Sequence, residues 1–351
     1  MKKRKVWIRI IELLILLAVA VTVSASVGSS SLNPLDAFRI IAAKLPGIGR
    51  FFDISNLDDS YVTIIWNVRL PRICLSALTG AALSLAGCTY QGVFRNPLAD
   101  PYILGVSSGA ALCATIATVC GLSVSFAGLG PVGLAAFVGA ILTVFLVFGI
   151  SKTGGGISMT GMLLTGTAVS TMFSALISLL LTFNHEQLAR IYMWTMGSFT
   201  SATWDKNLLL VIFVALAGCA LILLAPKLNL MMMGEDDAKS LGLDTGRYRM
   251  IFIVIASLLV AAAVSVSGII GFVGLIIPHS VRMIEGSDNR RVMPVALLGG
   301  AVFMLVCDTI ARTAVAPTEI PIGIITAVFG APYFIILLIT GKKRTSRGGS
   351  L

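Results

Sequence analysis

Charge is scarce in this chain: 12% of its 351 residues are Asp, Glu, Lys or Arg, and only two are histidine. A surface so poor in charge cannot keep a core of that size in water, so an ordinary soluble fold is excluded. The chain also has no G-x-x-x-x-G-K-[ST] loop to cradle phosphates, no H-E-x-x-H pair to hold zinc and no G-x-S-x-G nucleophile turn. Catalysis within the chain, and with it a resident cofactor, is therefore not expected. The cysteines at 74, 88, 113, 120, 219 and 307 lie singly inside apolar runs, with no C-x-x-C pair and no histidine beside them. They read as small core residues rather than disulfides or metal ligands.

What the chain has is hydrophobic length. Hydrophobic residues make up 57% of it, and its mean hydropathy is +0.96. A membrane-crossing helix needs about 20 mainly apolar residues. Ten such stretches can be laid down, at 8–28, 66–90, 102–121, 126–150, 159–183, 207–225, 250–267, 268–283, 293–316 and 321–340. The expectation is an all-α polytopic membrane protein, a single domain over residues 1–351. The first stretch follows the basic MKKRK, as in a secretory signal, but its apolar run is long and SASVGSS is a weak cleavage pattern, so it is read as a retained helix.

Ten crossings put both termini on one side, and charge decides which. The ends, Arg95, Lys152 and the segments 226–249 and 282–291 hold 18 of the 26 basic residues. Arg39, Lys44, Arg50, Arg69, Arg72, Arg190, Lys206 and Arg312 are the 8 on the other side. By the positive-inside rule both termini are cytoplasmic, and topology rather than nucleic acid accounts for the net charge of +10. The outer segments 29–65 and 184–206 each have room for a short surface helix.

Several stretches carry candidate chemistry. The longest internal cytoplasmic segment, PKLNLMMMGEDDAKSLGLDTGRYR, has helix formers at Glu235 to Leu241, acids ahead of Lys239 and a stop at Gly242. A short surface helix there suits a docking partner; a plain solvated loop is the other reading. Arg69 and Arg72 in WNVRLPR and Arg312 in DTIART either snorkel as anchors or receive carboxylates of a soluble partner. Pro71 between the first two starts a helix. His279 is read as a structural hydrogen-bonding group. Intramembrane glycines such as Gly80, Gly87, Gly105, Gly109 and Gly274 serve tight packing or a wide route. Stretches 102–121 and 159–183 are rich in Ser, Thr, Gly and Ala and carry no Glu, Lys or Arg. The charged residues are read as falling near span ends, which argues against ion-coupled secondary transport. In QGVFRNPLADPYILGVSSGA, Pro97 and Pro101 are expected to end one helix and begin the next, with Asp100 as its cap.

RLPR, GAALSLAG, Gln91, RNPLADPYILGVSSGA, GEDDAKSLGLD, GIIGFVGLIIPHSVR and CDTIARTAVAPTEIPIGIITAVFGAPYF occur in an order that resembles the FecCD-type permeases, from about Arg69 to Lys343. These are membrane subunits of ABC importers for ferric siderophores, haem and cobalamin. The resemblance implies a ten-helix permease fold in a bacterial cytoplasmic membrane. It implies a second permease subunit, two cytoplasmic ATPases that hold ATP and Mg, and an extracytoplasmic binding protein. By position it makes Glu235, Asp236, Asp237, Ala238, Leu241, Gly242 and Leu243 the ATPase-coupling helix. Arg69, Arg72 and Arg312 become docking residues for the binding protein, and Asn96, Leu98 and Thr160 the cytoplasmic gate. An iron complex is the expected cargo, with cobalamin the alternative.

Overall fold

A computed structural model describes residues 2–28, 33–44, 47, 49–54, 56–152 and 159–347. In chain order, α1 (Lys2–Ser26) is followed by the surface helices α2 (Pro34–Lys44) and α3 (Asp59–Ile64). Helix α3 runs through one π turn, Ile65–Arg69, into α4 (Leu70–Val93). Then come α5 (Val106–Val119), α6 (Pro131–Ser151), α7 (Met159–Phe183), α8 (Leu188–Thr195), α9 (Trp204–Met233) and α10 (Glu235–Ser240). The last four are α11 (Thr245–Ser267), α12 (Val273–Glu285), α13 (Asn289–Thr313) and α14 (Ile322–Arg347).

Each of the ten expected stretches falls on a helix. Among the described residues, seven helices are long and apolar enough to cross a membrane: Val6–Ser26, Asp59–Val93, α6, α7, α9, α11 and α13. Helix α5 and the Ile322–Ile336 part of α14 are shorter apolar helices, and α12 has 13 residues.

Local chemistry moves several boundaries. Pro71 stands in the first turn of α4, but the helix does not begin there: the preceding π turn makes α3 and α4 one helical run. Pro226 does not end α9, which continues to Met233, so of the expected loop 226–249 only residues 234–244 lie outside α9 and α11. Helix α5 begins at Val106, after Gly105 at φ +76°, and not at Pro101. Asp100 therefore caps no helix; its Oδ1 accepts from the Tyr102 N–H at 2.8 Å in a local turn. At Gly268, φ +73°, α11 stops, and its N–H donates to Val264 O at 2.8 Å. Of the outer segment 29–65, residues 29–32, 45, 46, 48 and 55 lie outside the described residues. The rest holds α2, whose Ala37 and Ile40 pack with Ile65, Ile73 and Leu305.

Helix α4 is the centre of the molecule, buried along most of its length and packed against α9, α11, α12 and α13. Lipid offers no hydrophobic drive for this association, so close van der Waals contact must supply it. Glycine makes it possible: a Cβ at Gly87 would collide with the Gly274 carbonyl of α12, and one at Gly80 with the Gly300 carbonyl of α13. Gly109 and Gly139 make the same approach between α5 and α6. Helices α1 and α7, by contrast, turn most of their surface outward.

Ion pairs identify the two ends. Arg9 Nε lies 3.3 Å from Glu285 Oε1, bringing the start of α1 to the end of α12. Asn229 of α9 bonds Asp288 and Asn289 there, at 2.7 and 2.8 Å. At the opposite end Thr309 donates to Ser24 at 2.8 Å, joining α13 to the end of α1. Gly87→Leu should lower the thermal midpoint of the detergent-solubilised protein, since overpacking costs about 1–3 kcal/mol or more. Gly149→Ala, where an added Cβ meets nothing within 4 Å, should leave the midpoint unchanged or raise it. Equal midpoints for the two variants would overturn the close-contact account.

Candidate functional site

At the Arg9–Glu285 end, Gly234 at φ +143° breaks α9 from α10. A six-residue helix cannot hold itself together, so its anchors matter. Ala238 is fully buried and Leu243 nearly so. Glu235 accepts from Lys239 Nζ and from Arg249 Nη2, both at 3.0 Å. Those two bonds hold its carboxyl below the usual range. Asp236, Asp237, Leu241 and Gly242 face outward, and Leu241 is 59% exposed. Gly242, at φ +79°, turns the chain towards Asp244, whose carboxylate caps α11 through the Arg247 N–H at 3.0 Å. Of the seven residues expected to couple, then, two are inward anchors, Glu235 is a strut and four are presented.

At the other end the three expected arginines meet one network. Arg72 donates to Asp308 from Nη2 at 2.9 Å and to Glu319 from Nη1 at 2.8 Å. Thr200 donates to the other Glu319 oxygen at 3.1 Å. Burial would raise the Glu319 carboxyl, but the Arg72 guanidinium outweighs it and holds the group below its ordinary value. Arg69 Nη1 donates to Ala25 O at 2.6 Å and Ser26 O at 3.3 Å, and Arg312 Nη2 donates to Ser24 O and Oγ. Two guanidiniums thus satisfy the last carbonyls of α1, which have no partner inside the helix. Asp308 and Glu319 were missed from sequence, although an acid inside the apolar run VCDTIA is a signal in itself.

The third group is the hairpin between α4 and α5. Asn96 and Leu98 are exposed, and Asn96 Oδ1 accepts from the Leu98 N–H at 2.9 Å. Thr160 is exposed in the first turn of α7, and no hydrogen bond joins it to those two. Burial pushes the Asp100 carboxyl up to about 6. Deeper in, Tyr102 Oη donates to Ile270 O at 3.0 Å and accepts from Ile270 N at 3.2 Å. Ile270 lies in the non-helical break 268–272 between α11 and α12. The break, residues 195 and 196 at the end of α8 and the first half of α14 border an open apolar recess of about 710 Å3. The outward face of α7 carries Thr167, Thr171, Ser178 and Thr182, each bonded back to a carbonyl of its own helix, a polar but uncharged surface. His279 departs from expectation: its Nδ1 is buried without a hydrogen-bond partner. Among the described residues no cluster of His, Cys, Asp and Glu could hold a metal ion.

Two ends tied down by ion pairs and hydrogen bonds, with a polar, uncharged helix face between them, suit a membrane conduit. The model of the FecCD transport family matches residues 16–340. The hemin transport system permease protein HmuU of Yersinia pestis is 38% identical over 340 residues, 96% of each chain. The cobalamin import system permease protein BtuC of Halobacterium salinarum is 42% identical over 275 residues, 78% of this chain and 73% of that one. A solved inward-facing structure, described as a metal-chelate type ABC transporter, superposes with a TM-score of 0.79 at 36% identity, covering 94% of this chain and 98% of that one. The chain is a multi-pass ABC transporter permease and belongs to the FecCD transport family.

Proposed function

We propose that this chain is the permease subunit of a binding-protein-dependent importer that carries an iron complex, a ferric siderophore or haem, across the bacterial cytoplasmic membrane. In this reading the chain crosses ten times, through α1, α4 to α7, α9 and α11 to α14, with both termini inside. The excess of basic residues on that side supports the orientation. So does the Arg9–Glu285 pair, which brings the N-terminal helix to the end that bears α10. A second permease subunit completes the route, and two separate ATPases bind Mg and hydrolyse ATP to drive it.

The observation that carries the reading is α10: buried on Ala238, exposed at Asp236, Asp237 and Leu241, and standing beside no nucleotide motif. A rigidly anchored helix with an outward acidic and apolar face transmits force to a partner that seats it. Loaded binding protein docks at the opposite end, ATP closes the ATPases, and α10 carries that motion into the spans. Arg69 is buried and Arg72 and Arg312 are part-buried, so the three guanidiniums, set against two carboxylates, favour an acidic partner through the surplus positive charge at this end rather than as an exposed patch. Asn96, Leu98 and Thr160 close the inner mouth. The hemin permease, matched over 96% of both chains, supports the choice of cargo; the cobalamin permease favours cobalamin as the second reading.

Asp237→Lys combined with Leu241→Asp should abolish co-purification of the ATPase and ATP-driven uptake; retention of both would remove α10 from the coupling role. Arg312→Glu should slow association of the binding protein at low salt by roughly tenfold, with the difference shrinking as salt rises. An unchanged rate at low salt would exclude the docking role. Titrating haem, ferric siderophores and cobalamin against that binding protein should give tightest binding for one of the iron complexes, and a clear preference for cobalamin would replace the cargo assigned above.

A further inference from the structure

The backbone between α11 and α12, residues 268–272, is not helical. Helix α11 ends at Ser267, whose carbonyl accepts from Ser198 N at 2.8 Å, and α12 begins at Val273. Phe272, a non-glycine residue, adopts φ +70°. Irregular backbone within a membrane protein must be satisfied by protein or face a cavity. Here both conditions hold. Ile269, Gly271 and Phe272 line the 710 Å3 recess, while Ile270 turns both its backbone N–H, as donor, and its carbonyl, as acceptor, to the Tyr102 hydroxyl.

Tyr102 belongs to the cytoplasmic-side hairpin, 168 residues away in sequence. The same hairpin touches two other elements. Pro101 fills the space a Cβ at Gly274 would need, so it buttresses the first turn of α12. The Ile103 carbonyl occupies the corresponding space at Gly166 of α7, the span with the hydroxyl face. From the far side Gly330 of α14 leaves room for the Phe272 ring. The hairpin, the break, α7 and α14 therefore meet at backbone or ring contact, with no flexible side chain between them to absorb a shift.

We propose that Tyr102 is a positioning residue for transport: its hydroxyl splints the 268–272 break, so that displacement of the hairpin moves the wall of the recess. This rests on the permease reading and deepens it. The hairpin becomes more than an inner mouth, because it sets the shape of the recess walled by the break. Two ordinary hydrogen bonds to a group otherwise left unsatisfied shift the balance between held and released break by about tenfold or more.

Tyr102→Phe keeps the ring and removes the hydroxyl. In the purified permease, exchange of the Ile270 to Gly274 amides with deuterated solvent should speed about tenfold while the thermal midpoint stays near that of the parent. In the complete transporter, cargo moved per ATP hydrolysed should fall several-fold, with ATPase rate retained. A purely structural role would lower midpoint, hydrolysis and uptake together and would overturn the proposal, as would unchanged exchange. Gly330→Ala, which presses on Phe272 with Tyr102 intact, provides the same reading if Tyr102→Phe fails to fold; full uptake per ATP in that variant would also overturn it. The exchange measurement needs no cargo or ATPase. A parent protein that showed no ATP-driven uptake would therefore refute the permease reading separately, leaving the splint to be judged by exchange alone.

Discussion

The approach of α4 to its neighbours at backbone distance is the constraint on which the rest of the structure depends. Gly87 against Gly274 and Gly80 against Gly300 bring α12 and α13 so close that no side chain separates them. In lipid that closeness replaces the hydrophobic effect as the source of cohesion. It also fixes the depth at which α12 begins, and hence where the 268–272 break must lie. Gln91, one turn beyond Gly87, donates to the Leu275 carbonyl at 3.1 Å and sets the same register by a second means.

At one end, that register delivers Arg72 of α4 to Asp308 of α13. An acid with a 1% exposed side chain needs a cation in reach, and removing either partner of such a pair costs about 3–5 kcal/mol, far more than the pair contributes against an apolar replacement. Arg69 and Arg312 spend donors on the carbonyls of α1, the least buried span, and so bind it to the body by its end. Structural and docking roles are compatible in such a cluster, because a guanidinium carries five donors and its charge persists whatever it bonds.

At the other end the problem is to hold a short helix rigid enough to transmit a push. Propensity cannot do it over six residues. Ala238 and Leu243 embed α10 from below, and the Lys239–Glu235–Arg249 chain of bonds ties it to α11. Between the ends, the break interrupts the helices and places polar backbone where protein groups must satisfy it.

Composition and hydropathy were enough to determine a helical membrane protein and the location of its apolar stretches, because those depend on local runs of residues; at Glu235 they left a short helix and a solvated loop both open, and the burial of Ala238 and Leu243 decided for the helix. The family's motifs pointed to the 235–243 segment and to Arg69, Arg72 and Arg312, which the fold places at opposite ends of the helical body. The continuation of α9 past Pro226, the late start of α5 and the non-capping role of Asp100 were not legible, since tertiary packing overrides local punctuation. Nor was it legible that Arg72 meets Glu319, 247 residues on, or that Tyr102 meets Ile270. Sequence determined which groups would need partners in a medium without water. Only the packing of α4 against α12 and α13 decided which partners they found, because a hydrogen bond is satisfied by whatever lies within about 3 Å, and neighbours at that distance are set by the fold.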